Sequence, residues 1–203
     1  MSYSIDSITA DCYPGTTCLI NKLGIHDEDQ LALVEAGMTM MKDSELSEHP
    51  LQGSFDFAHY KAIHRFLFED IYDWAGEIRT VDMSKKGTSF VKAAEIDRIA
   101  EYAFRRLQEN QLFVGLPFDE FVENIVDFYG IINMLHPFRE GNGRTQRVFF
   151  TQLIRNAGYD IDFSEIDPDE LMVATIQAAG GVEDMLRSIF GEAIRHGEGP
   201  ILA

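Results

Sequence analysis

The chain has 203 residues, 45% hydrophobic and 11% aromatic, enough for one folded domain with a substantial core. Its 34 acidic residues against 17 basic ones give a formal charge of −17, which repels a phosphate backbone and predicts no direct nucleic-acid ligand. No apolar run approaches the length of a bilayer span, so no membrane partner is expected.

The opening "MSYSIDSITADCYPG" lacks the basic start and apolar segment of a secretory signal, which predicts a cytoplasmic protein. Export as a secreted effector, by a route that reads another signal, stays open. Cys12 and Cys18 fit neither a disulfide scaffold nor a zinc spacing and read as incidental thiols.

Helical patterns dominate the rest. "HDEDQLALVEAGMTMMKD" opens on Asp27 as N-cap with Gln30 in the capping-box position. Its Met38, Met40 and Met41 read as gap-filling core. "ELSEHPLQGS", at 45–54, separates this helix from the main bundle without marking a domain boundary. "DFAHYKAIHRFLFEDIYDW" sets Tyr60, Ile63, Leu67, Ile71 and Trp74 at helical spacing and predicts one helix reaching Trp74. On it, His59 reads as a surface residue and His64 as a packed one.

"EIRTVDMSKKGTSFV" breaks the rhythm: it alternates and carries β-branched residues on both sides of "SKKG", the pattern of a short hairpin. Its lysines read equally as a solvated tip or as ligand contacts. Helices resume with "AAEIDRIAEYAFRRLQEN", the broadly apolar "PFDEFVENIVDFYGIINMLH" and "GRTQRVFFTQLIRNAG". "DPDELMVATIQAAG" follows, with Asp167 as N-cap and Pro168 at the first helical position, and "VEDMLRSIFGEAIRH" ends the series. The fold class expected is mainly α, a single domain over 1–203 with one small β element. Its core covers about 55–195 and an N-terminal helical extension about 13–48.

Between two of these helices lies "HPFREGNGRTQR", residues 136–147. Pro137 discourages the preceding helix from continuing past His136. A glycine-flanked loop at a helix start offers free backbone N–H groups and the positive end of a helix dipole, which is an anion site. Arg144 and Arg147, three apart, share one side of the following helix, and each can fork onto phosphate oxygens. Glu140 is a hard oxygen ligand suited to Mg²⁺, and His136 can take a proton near neutral pH. Together these residues suggest attack by a hydroxyl on a phosphate of a magnesium nucleotide.

The stretch matches HPFx(D/E)GNGRxxR at every specified position, and the chain resembles the Fic family, in its compact bacterial toxin type. "YPGTTCLINKLGI" and "IHRFLFEDIYDWAGEIRTVDMSKKG" extend the resemblance over most of 13–195. It implies a helical bundle with a β-hairpin flap that transfers AMP from ATP to a Ser, Thr or Tyr hydroxyl of a target protein, releasing pyrophosphate.

By the same resemblance His136 is the base and Glu140 the Mg²⁺ ligand. Gly141, Asn142 and Gly143 form the anion hole, with the Asn142 side chain as an added donor. Arg144 and Arg147 hold phosphates, Arg147 the γ-phosphate. The flap, with Thr80, Val81, Asp82, Met83, Ser84, Lys85, Lys86 and Gly87, holds the target by strand addition. UMP, phosphoryl or phosphocholine transfer, AMP removal, and a non-catalytic nucleotide-binding module stand as alternatives. The intact GNG and both arginines favour AMP transfer over the Doc-type kinases.

Family members are usually held inactive by a helix carrying (S/T)xxxE(G/N), whose glutamate pairs with the second motif arginine, here Arg147. Only Ser44…Glu48 and Ser188…Glu192 have the first spacing, and His49 and Ala193 leave both incomplete. A separate small antitoxin is therefore expected to supply the glutamate. The resemblance points to a type II topoisomerase subunit as target, with host GTPases of secreted effectors as the second choice.

Overall fold

A computed structural model describes residues 11–85 and 87–197. Expectations for residues 1–10, for Lys86 and for 198–203 lie outside the described residues.

Helix α1, Glu28–Glu48, starts where expected: the Asp27 carboxylate accepts from the Gln30 N–H and satisfies one orphan donor of the first turn. It buries Leu31, Glu35, Thr39 and Leu46. The methionines do not follow the core reading. Met38 packs against the core, whereas Met40 and Met41 are 70% and 72% exposed, because the buried stripe at Glu35 and Thr39 turns them outward.

Helix α2, Phe57–Phe68, is capped by the Asp56 carboxylate on the His59 N–H. It stops at Phe68 rather than Trp74. The Tyr72 N–H still reaches the Phe68 carbonyl, but the Ile71 carbonyl accepts from the Lys22 N–H at 2.8 Å, and Lys22 Nζ donates to the Glu69 carbonyl. The N-terminal strap thus claims acceptors that a longer helix would need. Ile71, Tyr72 and Ala75 stay buried without being helical. His59 is buried too: Nδ1 accepts from the Phe55 N–H and Nε2 donates to the Leu51 carbonyl, fastening the 51–55 connection to the bundle.

The hairpin forms only at its tip. Strands β1, Ser84–Lys85, and β2, Thr88–Ser89, pair antiparallel, Ser84 with Ser89 and Lys85 with Thr88. Below the tip one further backbone bond, from the Phe90 N–H to the Met83 carbonyl at 3.1 Å, extends the ladder before side chains take its place. Arg79 donates to the carbonyls of Val81 and Val91, and Asp82 accepts from the Ala93 N–H.

Helices α3, Ile96–Glu109, α4, Phe118–Leu135, and α5, Asn142–Asn156, form the centre. Phe104, Phe121, Ile125, Phe128, Ile132, Phe149 and Leu153 are all buried there. Helix α6, Pro168–Ala179, has its Asp167 cap on the Asp169 and Glu170 N–H groups, and α7, Asp184–Ala193, packs against α4 and α6. A second small sheet was not foreseen: β3, Tyr159–Asp160, pairs antiparallel with β4, Arg195–His196. Two residues per strand are too short to show alternation in sequence. Among the described residues, no helix is long and apolar enough to cross a membrane.

Candidate active site

The motif loop joins the C-terminus of α4 to the N-terminus of α5. His136 is the α4 cap, in the left-handed region at φ 41°, an uncommon conformation for a residue with a Cβ. The turn swings its side chain out of the helix while it stays 7% exposed. Phe90, just after the flap tip, stacks flat on the imidazole at 3.8 Å and 6°. The ring also hydrogen-bonds the Asn133 backbone. Burial, then the positive charges of Arg79 and Lys85, hold the His136 pKa down to about 3, against a smaller upward pull from Asn133. The imidazole is therefore neutral near pH 7, the form that accepts a proton.

Arg79 locks this arrangement. Its backbone N–H donates to the Pro137 carbonyl, Nε donates to the His136 carbonyl at 2.8 Å, and the remaining nitrogens reach Leu135, Val81 and Val91 carbonyls. One buried guanidinium ties both legs of the flap to the backbone that carries His136.

Gly141 caps α5 at φ 79°. A Cβ here would lie 2.3 Å from the Phe68 ring, so glycine is needed for both conformation and room. The first helical bond runs from the Thr145 N–H to the Gly141 carbonyl, leaving the first-turn amides of Asn142, Gly143 and Arg144 for an anion. The Asn142 side chain is engaged within the loop. Its Oδ1 accepts from the Phe138 N–H at 2.8 Å and its Nδ2 donates to the Phe138 carbonyl at 2.7 Å, so the side chain closes the loop. Glu140 Oε1 accepts from the Gly141 N–H, and burial raises its pKa despite that bond.

Underneath lies His64, fully buried between Phe138 (3.8 Å) and Phe68 (4.7 Å). Its Nδ1 accepts from the Gly76 N–H, so Nε2 carries the proton that bridges to the Glu140 carbonyl at 3.0 Å. Burial lowers its pKa to about 3, with Arg144 adding to the shift and the Glu140 bond opposing it. The linkage has a definite sign. Between the unfolded value of 6.5 and about 3, only the unfolded chain takes up this proton, so stability falls as pH drops through that window. We expect His64→Gln to lose less stability than wild type between pH 6 and pH 4, by about 1.4 kcal/mol per pH unit. Denaturant melts at the two pH values check this, and equal slopes would contradict it.

The two arginines differ. Arg144 is bonded to Glu35 and Thr39 of α1 and lies 4.9 Å over the Phe68 ring. Arg147 is exposed and makes no hydrogen bond or ion pair among the described residues. It borders a cavity of about 680 Å³ between the end of α1, α5 and the start of α6. Of the flap residues, Lys85 lies close enough to act electrostatically on His136 and Glu140, Met83 is buried, and Thr80, Asp82 and Gly87 are exposed. His64, Arg79, Phe90 and Glu35 were not among the expected site residues. Arg79 had a signal: it shares the alternating face of Val81 and Met83.

Residues 54–154 match the Fic/DOC family model. The chain is 38% identical over 182 residues to the Salmonella typhimurium "Probable protein adenylyltransferase Fic", covering 90% of each. It is 38% identical over 176 residues to "Protein adenylyltransferase VbhT" of Bartonella schoenbuchensis, covering 87% of this chain and 37% of that longer one. The crystal structure of the BepC protein with bound AMPPNP, from Bartonella tribocorum, superposes with a TM-score of 0.87 at 29% identity, over 93% of this chain and 97% of that one. With the motif whole and the Salmonella relative matched over 90% of its length, this chain belongs to the Fic/DOC family.

Proposed function

We propose that this chain is a protein adenylyltransferase. A Ser, Thr or Tyr hydroxyl oxygen of the target attacks the α-phosphorus of ATP and His136 takes the hydroxyl proton. The new P–O bond leaves AMP on the target as the bond to the β-phosphate oxygen breaks and pyrophosphate departs. The observation that carries this reading is the pairing of a neutral buried imidazole with a free helix N-terminus, joined by a single short loop. The first-turn amides of α5 and Arg144 receive the phosphates, and exposed Arg147 meets the γ-phosphate. The flap presents the target segment to His136.

Glu140 is the Mg²⁺ ligand in this reading. No group of three metal-binding side chains occurs among the described residues. A single hard carboxylate beside a phosphate cradle still suits this ion, which takes one or two carboxylates with phosphate and water oxygens. When bound it would neutralise phosphate charge. ATP labelled at the α- or the γ-phosphate tests the function. Transfer of the α-label with release of the γ-label supports it, whereas γ-label on the target would mean a kinase.

The chain acts, on this reading, in the cytoplasm as the toxin half of a pair, on a type II topoisomerase subunit. A small antitoxin supplies the inhibitory glutamate. In support, Arg147 faces a cavity whose wall holds Gln152, 5% exposed, with neither end of its amide hydrogen-bonded. Glu48 lines the same cavity, whereas Glu192 is exposed on α7 and accepts from Ser188. Glu48 is therefore the stronger in-chain rival. Purified without a partner, wild type, Glu48→Gly and Glu192→Gly are expected to show similar activity. A large rise for either variant would sink the separate-antitoxin reading.

A further inference from the structure

Helix α1 holds one of the two motif arginines, Arg144, by hydrogen bonds, and among the described residues makes none to Arg147. Glu35, 6% exposed, accepts from Arg144 Nη2 through Oε1 and from the Tyr72 hydroxyl through Oε2. Thr39, one turn on, donates its hydroxyl to the Glu35 carbonyl at 2.8 Å, which turns its oxygen lone pairs toward Arg144 Nη1 at 3.1 Å. Burial, then the Glu35 charge, pushes the Tyr72 pKa up, so Tyr72 stays a donor. Lys42 anchors the same helix to the end of α2 through Glu69 and Asp70, at 3.1 and 2.7 Å. The Phe68 ring supports the guanidinium from one side. Glu35 lies outside the matched residues 54–154 and outside the motif.

We propose that Glu35 is a positioning residue for the transfer reaction, acting through Arg144. A guanidinium has five donors in a fixed fork. Glu35 and Thr39 take one donor on each terminal nitrogen and fix the plane, with Nη2 also 3.6 Å from Glu140 Oε1, so the guanidinium is held beside the α5 N-terminus before a nucleotide arrives. A loose arginine would have to be ordered in each turnover. Glu35 is not an inhibitory carboxylate that swings away. It is buried with Tyr72 as a second partner, and its departure would leave the Tyr72 hydroxyl without an acceptor.

This rests on the adenylyl-transfer reading, and a double-mutant cycle separates the two. Transfer from α- and γ-labelled ATP is measured for wild type, Glu35→Gln, Arg144→Ala and the double variant. Which label moves tests the transfer reading. The coupling tests this one, in whichever product forms. Glu35→Gln is expected to lower kcat/KM by about 10–100-fold, mostly in kcat, and to add nothing to Arg144→Ala. Multiplying losses would overturn the proposal as a merely structural role, and a rise in activity would overturn it as inhibition. If Glu35→Gln fails to fold, Tyr72→Phe carries the test: a several-fold loss that vanishes in the Arg144→Ala background supports it, and an undiminished loss overturns it.

Discussion

His136→Ala is expected to reduce AMP transfer by about 10²–10⁴-fold while leaving ATP affinity within a few-fold of wild type. The nucleotide cradle does not depend on this imidazole: the loop is closed by Asn142 and the helix is started by the Thr145–Gly141 bond. The imidazole instead stacks on Phe90, and burial holds its pKa to about 3. With so low a value, the acid limb of the pH–rate profile should show no His136 titration between pH 5 and pH 8 in the free enzyme. Initial rates across that range, beside ATP binding by calorimetry, check both statements. Equal rates for wild type and variant would remove His136 from the chemistry.

Gly141→Ala is expected to be nearly as severe for a different reason. The new methyl would sit 2.3 Å from the Phe68 ring, on a backbone at φ 79°. The left-handed conformation costs an alanine about 1–2 kcal/mol, and overpacking adds about 1–3 kcal/mol. Relief by moving the loop would displace the first-turn amides of α5, where a misplacement near 1 Å costs about 10² in rate. Adding Phe68→Leu should return part of the stability, because it relieves the contact and leaves the backbone strain. It should not return the activity, because Phe68 also supports Arg144. Thermal melts and transfer rates of the single and double variants distinguish the two terms. Wild-type rates in Gly141→Ala would contradict the loop account.

The motif was legible because its residues are contiguous and each carries a recognisable chemistry. The elements that hold it were not. His64 bridges Gly76 to Glu140, and Arg79 joins Val91 to His136, contacts between residues 12 to 76 apart in sequence. His64 sits on the apolar stripe of Tyr60, Ile63 and Leu67, which signalled packing but not a hydrogen-bonding duty. The end of α2 was misplaced because periodicity continues through Ile71 and Trp74 in residues that are buried but not helical. The hairpin pattern runs longer in the sequence than in the structure, since the Arg79 and Asp82 side chains occupy backbone groups that a ladder would use. The exposed Met40 and Met41 show how a polar stripe, here Glu35 and Thr39, can face the interior when it has an arginine to bind.

Mass spectrometry of a bacterial lysate reacted with ATP and the purified chain bears most directly on the account. The result predicted is a Ser, Thr or Tyr of a target protein carrying one AMP unit with wild type, and no such adduct with His136→Ala. A phosphate or another group at that hydroxyl, or AMP adducts of equal yield from both proteins, would contradict it.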